Sequence, residues 1–255
     1  MGKKVIAHHG RARELLREFD AILFDLDGTL VDTAPDLLFA LNQVIAEEGN
    51  APSLSLRELR PIISHGGRAM VQRAFGLETD APRFSALFER FLDVYHDNIA
   101  RHTRLFPGME EVLARIEVHA VPWGIVTNKS GWLTRPLIAA LGLSHRAACV
   151  VAGDTMAHRK PYPDSLLFAC RQLGVIPSRC LYIGDAAKDI EAGLRAGTQT
   201  AVALFGYISP DEEPKMWGAD FLFSSPRNIY VSEKQISKKS VPAQGTPRLD
   251  PGAKR

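Results

Sequence analysis

Apolar residues recur along this chain in two rhythms. Short unbroken runs, among them Ala21-Ile22-Leu23-Phe24, Gly124-Ile125-Val126, Val150-Val151-Ala152 and Leu181-Tyr182-Ile183, have the length and continuity of strands buried on both faces of a parallel sheet. Elsewhere the spacing is helical, clearest at Phe84, Leu87, Phe88, Phe91, Leu92, Tyr95 and Ile99, which follow i, i+3, i+4, i+7 steps. After Phe106-Pro107-Gly108 the two rhythms alternate. Helices are predicted over 109–119, 132–141, 164–173 and 188–196, and strands over 122–127, 148–152, 180–184, 200–204 and 220–223. Strand and helix in turn predict an α/β fold, a doubly wound parallel sheet with a Rossmann-like core.

Between Thr33 and Phe106 no segment reads as a strand. Helices are expected over 36–48, 55–63, 67–75 and 84–99, punctuated by Gly49, Pro52, Pro61 and the Gly66-Gly67 pair. Residues 34–105 are therefore expected to form a helical cap inserted into a catalytic core made of 20–33 and 106–228. Residues 1–19 read as a basic extension outside the fold, with a short helix over 11–19. Beyond Pro226 the apolar rhythm gives way to Lys, Ser, Pro and Gly, and 229–255 are expected to be disordered.

Composition narrows the function. The 255 residues are 45% hydrophobic and carry 31 basic against 29 acidic side chains, a net charge of +2 that supplies no field for nucleic acid or an anionic membrane. The expected partner is a small molecule. No run is long enough to span a bilayer and the N-terminus lacks a signal-peptide core, so a cytoplasmic protein is expected, as a monomer or homodimer. Cys149, Cys170 and Cys180 have neither zinc-site spacing nor even number and read as reduced, structural thiols.

The chemistry gathers at strand ends. Asp25 and Asp27 follow the first strand and lead into Gly28-Thr29, a pattern that alone could be an ordinary turn. Three further strand ends also carry polar residues: Thr127-Asn128-Lys129, Lys160-Pro161 beyond Gly153-Asp154, and Asp185 with Asp189. In open α/β sheets ligands bind outside the carboxyl ends of the strands, so these four sets converge. Together they suit phosphate-ester chemistry. Asp25 is the candidate nucleophile and Asp27 the candidate acid/base, while Asp25 and Asp185 offer oxygen ligands for Mg²⁺. Lys160 and Thr127 are placed to hold phosphate oxygens, helped by backbone N–H groups of the Gly28 turn. Lys129 and Lys188 read as exposed, and Asp32 as a residue that fixes the turn into the cap.

Taken together, Asp25-x-Asp27-Gly28-Thr29, Thr127, Lys160-Pro161 and Gly184-Asp185-x-x-x-Asp189 resemble the four motifs of the haloacid dehalogenase-like hydrolases, over roughly residues 20–225. The resemblance implies a nucleophilic Asp25, an acid/base Asp27, phosphate contacts from Thr127, Asn128 and Lys160, and a magnesium site drawn from Asp25, Asp27, Asp185 and Asp189. An aspartate at position 27 points to hydrolysis of phosphate esters rather than to the family's dehalogenases. Ala186 departs from the Asp, Ser or Thr of many relatives, which implies weaker magnesium affinity. A helical cap after the first strand resembles the phosphoglycolate phosphatase group. That likeness implies a small carboxylate-bearing phosphate ester, N-acetylmuramic acid 6-phosphate or phosphoglycolate, with Arg68 and Gly67 of the cap as candidate substrate contacts. Two alternatives use the same residues: a sugar phosphomutase on the same scaffold, and a non-catalytic protein that binds a phosphate ligand.

Overall fold

The structure is a computed structural model that describes residues 18–49 and 53–230. The helix expected over 11–19 falls almost wholly outside the described residues, as does the tail from 231 onward. The core strands are β1 (Ala21–Phe24), β4 (Trp123–Val126), β5 (Cys149–Val151), β6 (Cys180–Gly184), β7 (Gln199–Ala203) and β8 (Phe221–Phe223). They form one sheet in the order β5-β4-β1-β6-β7-β8, and every pairing is parallel. Helices α5 (Met109–Val118), α6 (Gly131–Ala140), α7 (Asp164–Leu173) and α8 (Ala187–Ala196) supply the crossovers. The expected doubly wound sheet is present, with boundaries moved by a residue or so.

Strand alternation divides the core. Ile22 and Phe24 pack with Met109, Val112 and Leu137 on one face, whereas Ala21 and Leu23 pack with Leu166, Ala169 and Cys170 on the other. Burial on both faces explains why β1 is apolar at every position. Cys149, Cys170 and Cys180 are buried free thiols. Phe19 meets the ring of Phe221 edge-on at 6.3 Å, and Ile229 and Tyr230 are buried, so packing reaches a residue or two past both expected core boundaries. No helix among the described residues is long and apolar enough to cross a membrane.

The cap consists of α1 (Ala34–Glu47), α2 (Leu56–Ile63), α3 (Gly67–Phe75) and α4 (Phe84–Asp97). Ser55 opens α2 with a reciprocal capping box to Glu58, which satisfies two otherwise unpaired N–H groups. Pro61 does not break α2 as the sequence suggested but sits inside it. One element contradicts the sequence reading. Val31–Asp32 (β2) and Arg104–Leu105 (β3) pair antiparallel where the chain leaves for the cap and returns. A two-residue strand shows no alternation, so nothing in the sequence announces it.

Asp36 secures the same crossing. Its fully buried carboxylate accepts N–H groups from His102 and Thr103 and the Thr103 hydroxyl, at 2.7–3.0 Å. Alongside it, Asp32 accepts the Tyr207 hydroxyl at 2.7 Å and pairs with Arg60 of α2 at 2.5 Å.

Candidate active site

Asp25 is the first residue after β1, and the order β4-β1-β6 sets Thr127 and Asp185 on either side of it. The backbone then turns sharply. Leu26 N–H donates to Asp25 Oδ1 at 2.8 Å, and Gly28 adopts φ +82°. A Cβ at Gly28 would collide with the Asp185 carboxylate and the Tyr207 ring, so this turn requires glycine. The Gly28 N–H is taken by Val31 C=O at 3.0 Å, which removes it from the phosphate cradle expected of it.

Lys160 reaches the centre from the loop after β5. Its buried ammonium lies 2.9 Å from Asp25 Oδ1, 2.7 Å from Asp189 Oδ1, 3.0 Å from Val126 C=O and 2.7 Å from the Tyr182 hydroxyl. Burial opposes the charge, but Asp189 and Asp25 outweigh it, and the Lys160 pKa is raised. Asn128 holds the loop: its amide donates to Lys160 C=O and accepts Lys160 N–H, each at 3.0 Å. Asn128 is therefore a clamp on Lys160, with both polar atoms of its side chain engaged there. Thr127 is buried, and its hydroxyl accepts Lys129 N–H at 3.1 Å.

Asp25, Asp185 and Asp189 each offer a carboxylate oxygen within 4.8 Å of the others. Asp185 accepts the Thr29 hydroxyl at 3.2 Å, Tyr207 N–H at 2.8 Å and the Ser64 hydroxyl of the cap at 3.3 Å. Asp189 Oδ2 accepts Ala186 N–H at 3.0 Å, an interaction that needs no side chain at position 186. Burial and its two neighbouring carboxylates push Asp185 up to about 8. Burial likewise lifts Asp25 to about 6 against the pull of Lys160, with Asp189 adding to the rise. Three buried carboxylates around one ammonium leave an excess of negative charge. A hard divalent cation with oxygen preference fits that donor set.

Asp27 faces elsewhere. Its Oδ1 accepts the Thr33 hydroxyl at 2.7 Å and pairs with Lys129 at 3.0 Å, so its carboxylate stands apart from the three-carboxylate group expected to include it. Lys129, expected to be exposed, has a side chain only 9% accessible. Burial disfavours its charge, yet Asp27 and Tyr95 prevail and raise its pKa. Lys129 follows Thr127 just past the C-terminal end of β4, a strand-end position that could have placed it in the site. Lys188 is likewise engaged, its ammonium bonding Ser64 C=O across the core–cap boundary.

Core and cap enclose a cleft of about 550 Å³ lined by Asp25, Asp27, Thr127 and Asn128 below and by α3 and α4 above. Arg68 and Gly67 both line it. The Arg68 guanidinium stacks over Phe84 and Phe88, 4.9 and 5.3 Å from their centroids, and donates to Thr79 C=O at 3.3 Å. A Cβ at Gly67 would press on Phe88 at 3.0 Å, so that glycine serves helix packing within the cap.

A model of the haloacid dehalogenase-like hydrolase family matches residues 22–203. The chain is 44% identical over 209 residues to the N-acetylmuramic acid 6-phosphate phosphatase of Pseudomonas aeruginosa, an alignment that covers 82% of this chain and 92% of that protein. It is 42% identical over 210 residues to the phosphoglycolate phosphatase of Xanthomonas campestris pv. campestris, covering 82% and 94%. Among solved structures, a predicted phosphoglycolate phosphatase from Haemophilus somnus superposes with a TM-score of 0.74 at 27% identity, covering 83% of this chain and 96% of that one. With the four strand-end motifs meeting at one cleft and a family match over most of its length, the chain belongs to the haloacid dehalogenase-like hydrolases, among their phosphatases.

Proposed function

We propose that this chain is a magnesium-dependent phosphomonoesterase that works through a phosphorylated Asp25. The observation that carries the reading is the position of Asp25, at the mouth of the sheet, 2.9 Å from Lys160 and within 4.8 Å of two further carboxylates. In the first half-reaction an Asp25 oxygen attacks phosphorus, the ester P–O bond breaks, and Asp27 gives a proton to the leaving alkoxide. In the second, Asp27 takes a proton from water, the water oxygen bonds to phosphorus, and inorganic phosphate leaves Asp25. Both bonds to Asp27 fall on Oδ1, which leaves Oδ2 to meet the leaving oxygen. Lys160 and Thr127 offset phosphoryl charge. Mg²⁺, held by Asp25, Asp185 and Asp189, would neutralise the substrate dianion against the nucleophile.

The substrate reading is a small phosphate ester that bears a carboxylate, N-acetylmuramic acid 6-phosphate first and phosphoglycolate second. Four cationic side chains line the cleft, Arg68, Lys129, Arg159 and Lys188, against Asp25 and Asp27, which suits an anionic ligand. About 550 Å³ is room for a sugar phosphate. Comparing kcat/KM for the two esters ranks them, and preference for a sugar phosphate that lacks a carboxylate over both would sink the carboxylate reading. The chemical reading is tested with Asp25→Asn. It should retain its near-ultraviolet circular dichroism and lose magnesium-dependent phosphate release; release at the wild-type rate would remove Asp25 as nucleophile.

A further inference from the structure

Of the four cationic side chains in the cleft, three are engaged within the protein. Lys129 pairs with Asp27 at 3.0 Å, and Lys188 bonds Ser64 C=O across the core–cap boundary. The Arg68 guanidinium lies over Phe84 and Phe88 and donates to Thr79 C=O. Arg159 differs. Among the described residues its side chain makes one hydrogen bond, from Nε to Gly153 C=O at 2.7 Å, and pairs with no carboxylate.

That bond decides what the guanidinium can still do. With the Nε–H taken, the donors left are the N–H groups of Nη1 and Nη2, whose end-on fork matches the two oxygens of a carboxylate. The residue is also held in place. Gly153 N–H donates to Lys129 C=O at 2.8 Å, and Arg159 C=O accepts Tyr162 N–H at 2.9 Å across the turn that carries Lys160. Arg159 is thus braced against the loop that follows Thr127. Although adjacent in sequence, Arg159 and Lys160 diverge: Lys160 is buried with its ammonium 2.9 Å from Asp25, whereas Arg159 is exposed on the cleft wall. A group bound at Arg159 therefore belongs to a part of the ligand outside the buried centre.

We propose that Arg159 is the specificity-determining residue for the substrate's carboxylate, which Nη1 and Nη2 take end-on, in the role the sequence suggested for Arg68. The ligand class this favours is a sugar-acid phosphate, whose carboxylate stands several bonds from its phosphate. Lysine cannot fully replace arginine there, because an ammonium supplies charge without the planar fork. This rests on the phosphatase reading of the cleft.

Steady-state phosphate release is measured for wild type, Arg159→Gln and Arg159→Lys. The substrates are N-acetylmuramic acid 6-phosphate and N-acetylglucosamine 6-phosphate, which is the same sugar ester without the lactyl carboxylate. Wild type should favour the carboxylate-bearing ester. In Arg159→Gln the ratio of kcat/KM on that ester to kcat/KM on the other should fall about tenfold, mainly through KM, and Arg159→Lys should restore only part of it. An unchanged ratio, with both esters slowed equally or neither slowed, would show that Arg159 only braces the Lys160 loop and overturns the proposal, leaving the phosphatase reading intact. A wild type that does not favour the first ester overturns it as well. So does complete recovery in Arg159→Lys, since charge alone would then suffice. Wild type that releases phosphate from neither sugar ester, nor from phosphoglycolate or p-nitrophenyl phosphate, would instead remove the phosphatase reading and the proposal with it.

Discussion

Lys129 Nζ stands 3.0 Å from Asp27 Oδ1, a pair formed between the ends of β4 and β1 with side chains only 9% and 19% exposed. This contact, with the Thr33 hydroxyl, fixes which way the candidate acid/base points. Truncating one partner of a sheltered pair leaves the other charge unpaired, which costs far more than the pair contributes at a wet surface. Lys129→Met is accordingly expected to lower kcat/KM by about 10- to 100-fold on every ester, with Lys129→Arg recovering part of it. Wild-type rates in Lys129→Met would show that Asp27 needs no such partner.

The carboxylate group predicts how metal-free protein responds to pH. Asp25 rises to about 6 and Asp185 to about 8 in the fold, above their ordinary values near 4. Groups raised in this way favour the folded state while protonated, so their contribution is complete at low pH and is lost as pH climbs through 6 and then 8. Without metal, the melting temperature should therefore fall between about pH 4 and pH 8, and Mg²⁺ should raise it more at pH 8 than at pH 5. Asp185→Asn should flatten both trends; calorimetric scans that show the same pH slope in the variant would contradict the assignment.

Gly28 combines a left-handed backbone with the absence of any room for Cβ. Gly28→Ala should cost more than about 1 kcal/mol from the backbone alone, and more from displacing the Asp185 carboxylate. Urea titration reads the stability, and isothermal titration with Mg²⁺ reads the weakened site.

Asp36 lies outside the cleft and holds the return of the chain from the cap. Removing an acceptor that serves two N–H groups and a hydroxyl leaves buried donors unpaired, so Asp36→Ala should lose about 3 kcal/mol or more. Thr103→Val removes only the hydroxyl bond and should lose about 1 kcal/mol. Similar losses in the two variants would mean that the backbone bonds contribute little.

Much of this architecture was readable in the residues. The sheet declared itself because strands buried on both faces are apolar throughout, and four of them lead into polar residues. The rest escaped for physical reasons. Strand β3 is two residues long and carries no periodicity. Lys129 looks like any strand-end lysine until Asp27, on another strand, is placed beside it. Asn128 holds Lys160 and Gly67 lies close beside Phe88, partners from remote segments that only the fold brings together. What a sequence supplies is the chemistry at each strand end; the pairing of those ends belongs to the fold.

The central place of β1 also carries a consequence for biosynthesis. Its sheet neighbours β4 and β6 are translated only after the whole cap, so the strand that leads into Asp25 must wait, apolar and unpaired, while α1 to α4 form from local contacts. During that interval the segment Ala21–Phe24 is the one most open to association with other nascent chains.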